Sequence, residues 1–148
     1  MGRQNEDILM NWRRALLVWL AIVVAESVHG IIRRLFVLPV IGELPAHQAG
    51  MFVGCLIIFV IACASIRWIG ARSTPELLTV GAVWMILMAA FEVGLGYALG
   101  YPLSRILHDY NIAEGRLMVI GMIFMLLAPL LAAKVRGIGT HTTRNSQH

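Results

Sequence analysis

Five ionisable side chains lie inside two long apolar runs: Glu26, His29, Arg33 and Arg34 in the first, and Glu92 in the third. A charge near the centre of a bilayer costs about 2.5–3.5 kcal/mol even on the lenient insertion scale. Such groups must therefore pair with one another or perform a task. Two carboxyl groups sharing one low-dielectric site rarely both ionise, and an imidazole adds a second group that titrates near neutral pH. Carboxylates and histidines of this kind form proton and cation relays in membranes. The simpler alternative is an ion-pair cluster that pins the register of the first and third spans. Both readings stay open at this level.

Helical geometry brings these residues together. At 100° per residue, Glu26, His29 and Arg33 fall within about 60° of one another, with Arg34 about 80° from Glu26. At 1.5 Å per residue, Glu26 lies about 18 Å and Arg33 about 28 Å beyond Arg14, and Glu92 about 24 Å beyond Glu76. Glu92 is then expected between Glu26 and Arg33 in height, within reach of Arg33 or Arg34. Gly81, Ala89 and Gly96 cluster near the Glu92 direction and should let neighbouring helices approach closely.

The elements that carry them are four apolar segments. A spanning helix needs about 20 mostly apolar residues. The first is predicted over 15–38, ended by Pro39, and the second over 49–69. The third, over 74–100, opens on Ser73-Thr74-Pro75-Glu76, a capping box with proline in the first turn. The fourth covers 117–133, with Pro129 near its end. The expected fold is an all-α integral membrane four-helix bundle: a membrane domain over 1–136, then a disordered polar tail over 137–148. Between the third and fourth spans, Leu103, Ile106, Leu107 and Tyr110 follow Pro102 at helical spacing, which predicts a short amphipathic helix. Residues 15–25 resemble the apolar core of a signal peptide, with Ala25-Glu26-Ser27 as a cleavage site. The apolar run resumes beyond it, so a retained span is expected.

Composition agrees with this class. The chain is 59% apolar with 14% charged residues and a formal charge of +4, against about half apolar in a soluble domain. Basic residues hug the span ends, a placement that suits lipid headgroups and not nucleic acid. Eight of them (Arg3, Arg13, Arg14, Arg67, Arg72, Lys134, Arg136 and Arg144) fall on the side of the termini, against Arg33, Arg34, Arg105 and Arg116 on the other. By the positive-inside rule both termini are expected in the cytoplasm, with the chain in a cell inner membrane.

The two halves also resemble each other. Trp19 and Trp84 stand 65 residues apart, Glu26 and Glu92 stand 66 apart, and Gly54 and Gly121 stand 67 apart. A tandem duplication of a two-helix hairpin would give these offsets, with a pseudo-twofold axis along the membrane normal. Other signals are slighter. Gly50 and Gly54, and Gly96 and Gly100, have GxxxG spacing and predict helix packing. Cys55 and Cys63 lie about 12 Å apart along one helix, too far for a disulfide. His47, His108 and Asp109 share one side without metal-ligand spacing. No cofactor motif occurs, so neither metal nor cofactor is expected.

The stretch HGIIRRLFVLPVIGELPAHQAGMFVG (residues 29–54) resembles a group of small bacterial four-span inner-membrane proteins to which no activity is assigned. That resemblance implies a layout and no chemistry. Small multidrug transporters share the span count and a glutamate in the first span, but Ala25-Glu26 is followed here by His29, Arg33 and Arg34. Glutathione-handling membrane enzymes share length and span number without their arginine- and asparagine-rich helix motifs. The leading expectation is a proton- or ion-linked transporter or channel-like protein, oligomeric or bound to a membrane partner, using Glu26 and Glu92. The alternative is a non-catalytic membrane subunit or assembly factor. An enzyme is disfavoured, because no nucleophile–base pair is evident.

Overall fold

A computed structural model describes residues 10–139 of the chain. Helix α1 spans Trp12–Ile41. Its first turn is capped by the Asn11 side chain, which accepts from the Arg14 amide. The expected stop at Pro39 does not occur. A widened π-helical turn over Arg33–Val37 precedes the proline, and the chain continues as α-helix through Leu38–Ile41. The extra residue in that turn moves the ladder out of α register just where the proline would otherwise clash with the carbonyl four residues back. The helix ends at Gly42, whose φ of +86° only glycine adopts without strain.

Helix α2 spans Glu43–Ile69 and so begins six residues before its expected start. Glu43 suits the positive end of the helix dipole, and Pro45 is tolerated in the first turn, where its missing N–H has no intrahelical partner. Gly70, with φ +81°, closes α2 in the left-handed conformation. Helix α3 spans Thr74–Ala98 and carries the expected capping box: Ser73 Oγ accepts from the Glu76 amide, and Glu76 accepts from the Ser73 amide. The short α4, Leu103–His108, follows Pro102 as expected and buries Ile106. Helix α5 spans Met118–Val135 with Pro129 buried inside it. The expected polar tail lies outside the described residues from position 140 onward.

The four long helices form a bundle. α1 packs on α2, α2 on α5, and α5 on α3, while α1 and α3 touch more sparsely. The Asn11 amide donates to the Ile69 carbonyl at 3.1 Å, which places the start of α1 beside the end of α2. Arg67 donates to the Arg136 carbonyl at 3.0 Å, tying the ends of α2 and α5 together. We call this the terminal end and the opposite one, with Gly42 and α4, the loop end. At the α3–α5 crossing a Cβ on Gly81 would overlap the Leu126 carbonyl oxygen, so only glycine permits this approach.

The apolar core is concentrated in the terminal half. It is built from Ile22, Ile66, Leu77, Val80, Trp84 and Met125, each almost fully buried. The Trp84 indole donates to the Ala15 carbonyl at 2.9 Å and ties α3 to α1. The outer faces are apolar and exposed, as at Leu20, Ile31, Phe52 and Ile86. All four long helices are long and apolar enough to cross a membrane, with mean hydropathies of 2.1, 2.6, 1.9 and 2.3. The described residues thus form an all-helical, multi-pass membrane four-helix bundle.

Candidate functional site

Toward the loop end, the inward positions of α1 and α3 carry ionisable side chains that are partly buried. Ala15, Trp19, Ile22, Glu26 and Arg33 fall within about 60° on α1, and this stripe faces inward, as Ala15 and Ile22 show by their burial. On α3, Glu92 lies one turn beyond the buried Met88. Apolar side chains fill the stripe up to Ile22 and Met88, and ionisable ones continue it.

Glu26 and Arg33 are seated on α2 through its two glycines. A Cβ on Gly54 would stand 3.0 Å from Glu26 Oε2, and one on Gly50 would stand 2.5 Å from Arg33 Cδ. The GxxxG of α2 is thus a pair of notches for charged side chains within one protomer. The second glycine pair is not a helix face at all, because α3 ends at Ala98 and Gly100 adopts φ +77° in the turn. Gly96 instead receives the Ile106 side chain of α4.

The seated side chains do not pair with each other. Glu26 Oε2 stands 3.4 Å from His29 Nδ1, one turn along the same helix. Arg33 Nη1 donates to His47 Nδ1 of α2 at 3.1 Å. A guanidinium has no acceptor, so His47 must present a lone pair at Nδ1 in this contact. Glu26 Oε1 and Glu92 Oε2 are both buried without a hydrogen-bond partner, and so is the Trp19 indole N–H. Arg34 is exposed and stands outside the group.

Glu92 lies close enough to Glu26 and Asp109 to feel their charge. The expected pairing of Glu92 with Arg33 or Arg34 is not formed: among the described residues Glu92 has no ion pair. Above it sits the loop that follows α4. Burial, the charges of Glu92 and Asp109, and a hydrogen-bonding approach to Glu92 push the Tyr110 phenol up to about 12. Arg116 bridges Asp109 and Glu43, with the latter at 3.3 Å. Gln48 also donates to the Gly115 carbonyl at 3.3 Å, so this loop is fastened to the start of α2.

Chemically, this half offers two carboxyl groups within electrostatic reach of each other, each with an unpaired oxygen, an imidazole on one of them, and an arginine held two turns along α1 by a second imidazole. Groups of these types can accept and release protons. His47 and Tyr110 were not among the expected site residues. His47 is brought to Arg33 only by the hairpin at Gly42, and Tyr110 to Glu92 only by the fastened loop. His108, grouped with His47 and Asp109 by sequence, instead pairs with Glu114 at 3.1 Å. The two halves share a layout, α1 packed on α2 and α3 on α5. The glycines that the offsets align are not equivalent at the site: Gly54 receives Glu26, whereas nothing lies within 4 Å of a Cβ on Gly121. No family model matches the chain, and no curated protein or solved structure matches it either.

Proposed function

We propose that this chain is a small proton- or cation-linked transporter or channel-like protein of a cell inner membrane, with both termini in the cytoplasm. Glu26 and Glu92 are its coupling groups. The observation that carries this reading is that both carboxyls keep a buried, unpaired oxygen while the nearby arginine bonds to a histidine. A purely structural cluster would have joined Arg33 to one of them, because a half-satisfied buried polar network costs more than an apolar core. Arg33 is then a parked countercharge. Protonation of His47 at Nδ1 ends its role as acceptor and frees the guanidinium to swing back along α1 toward Glu26, about two turns below. Four helices leave little room for an aqueous path, so the working unit is a homo-oligomer. Reconstituted in liposomes under a pH gradient, Glu26→Gln and Glu92→Gln should each reduce flux at least tenfold while remaining helical and monodisperse. Unchanged flux in both variants would overturn the assignment.

A second reading, a non-catalytic membrane subunit, is favoured by the seating of Glu26 and Arg33 on Gly54 and Gly50, which locks α1 to α2. It calls for one stoichiometric partner on gentle purification and no flux from the isolated protein. Recovery of the chain alone, with flux, would dismiss it.

A further inference from the structure

A groove of about 450 Å³ runs between α1 and α2 on the outer face of the terminal half. Leu17, Val18 and Ala21 line one wall, and Ile61, Ala64 and Trp68 the other. Each wall has the spacing of a single helical face. The walls are apolar, and the one hydroxyl among them, that of Ser65, is already donated to the Ile61 carbonyl at 2.6 Å. Ala21 and Ala64 are exposed, so their small size keeps the groove open.

The groove has a cationic mouth at the terminal end. Arg14 continues the Leu17–Val18–Ala21 face one turn down. Its guanidinium lies 5.3 Å from the centre of the Trp68 ring, and Nη1 donates to the Trp68 carbonyl at 2.9 Å. Two contacts hold the head in place while further N–H groups remain free to donate. Among the described residues no carboxylate forms an ion pair with Arg14. An arginine backed by tryptophan, at the end of a membrane span, lies at headgroup depth. From Arg14 to Ala21 the wall rises about 10 Å, the reach of the first part of an acyl chain.

We propose that this groove binds one anionic phospholipid, its phosphate on Arg14 beside Trp68 and an acyl chain between α1 and α2. Planar guanidinium donors match phosphate oxygens two at a time, and a cation on an aromatic face retains its charge for them. A zwitterionic lipid offers the same chain but places a positive choline beside the arginine. This inference is independent of the transport reading and uses none of its residues.

The test is native mass spectrometry of the full chain, released from detergent with phosphatidylglycerol or phosphatidylcholine of identical acyl chains. The wild type should retain one phosphatidylglycerol at least tenfold more than phosphatidylcholine. Arg14→Gln should bring that ratio to about one, and Ala64→Phe, which fills the groove from an exposed position, should abolish retention of both lipids. Arg136→Gln, a change to another exposed arginine at the same end, should leave the ratio unaltered. Circular dichroism of each variant checks that the bundle has formed. Equal retention of the two lipids by the wild type would overturn the proposal. So would a preference that survives in Arg14→Gln, or full competition by inorganic phosphate.

Discussion

Arg33 Nη1 donates to His47 Nδ1 at 3.1 Å while Glu26, seated one notch further along α2, leaves Oε1 buried and unpaired. The cation is therefore held by an imidazole acceptor and not by the carboxyl group below it. The two glycine notches explain how: each side chain has its own recess, and the Gly50 recess directs the guanidinium toward the start of α2. A double-mutant cycle of Arg33→Gln and His47→Ala, read by thermal unfolding in detergent, should give a coupling of about 0.5–3 kcal/mol, the range for residues in contact. Strict additivity would dissolve the contact.

Glycines on the facing helices should respond very differently to one added methyl group. Gly81→Ala drives a Cβ into the Leu126 backbone, which cannot move as a side chain can. The bundle should lose about 3 kcal/mol or more, or fail to assemble. Gly121→Ala meets nothing within 4 Å and should gain up to about 1 kcal/mol from helix propensity. Melting temperatures of the two variants against the wild type decide this, and a neutral Gly81→Ala would refute the crossing.

Trp84→Phe keeps most of the ring volume but removes the donor to the Ala15 carbonyl. The Ala15 carbonyl keeps its intrahelical partner, so the loss is that of one net hydrogen bond, about 0.5–1.5 kcal/mol. The variant should melt earlier by that amount while its helix content is kept. An unchanged melting curve would mean that α1 and α3 are not joined there.

Tyr110 reports on Glu92 without any flux assay. Its phenol should titrate near 12 by ultraviolet absorbance, above the ordinary tyrosine value of about 10. In Glu92→Gln the midpoint should fall toward 10 but stay above it, because burial is the largest cause and remains. The sign for stability follows. The folded value exceeds the unfolded one, so Tyr110's contribution is complete below about pH 10 and is lost as the pH rises toward 12. An identical midpoint in Glu92→Gln would separate the two residues.

Much of this architecture is written in local patterns. Four apolar runs, the Ser73–Glu76 capping box and the alignment of Glu26 with Arg33 depend only on neighbours within a turn or two. What escaped depends on longer reach. Pro39 stops an ideal helix, but a widened turn begun at Arg33 lets α1 pass it. Pro45 and Glu43 suit a helix start, yet hydropathy alone places the start later because it counts Glu43 and His47 as loop. The GxxxG spacing announces close approach but is silent on what approaches, and here a carboxylate and a guanidinium fill the space. His47 became Arg33's partner through a turn whose geometry rests on a single glycine, Gly42.

Because Trp84, Ile22, Ile66 and their neighbours are gathered toward one end, cohesion in this bundle is graded along its axis. Backbone amides around Val18–Ile22 should exchange with deuterium far more slowly than those beyond Gly30, where few apolar contacts resist opening. The half that holds the ionisable groups is thus the compliant half. There the helix ends are joined by a few polar ties, through Gln48 and Arg116, in place of a packed apolar core.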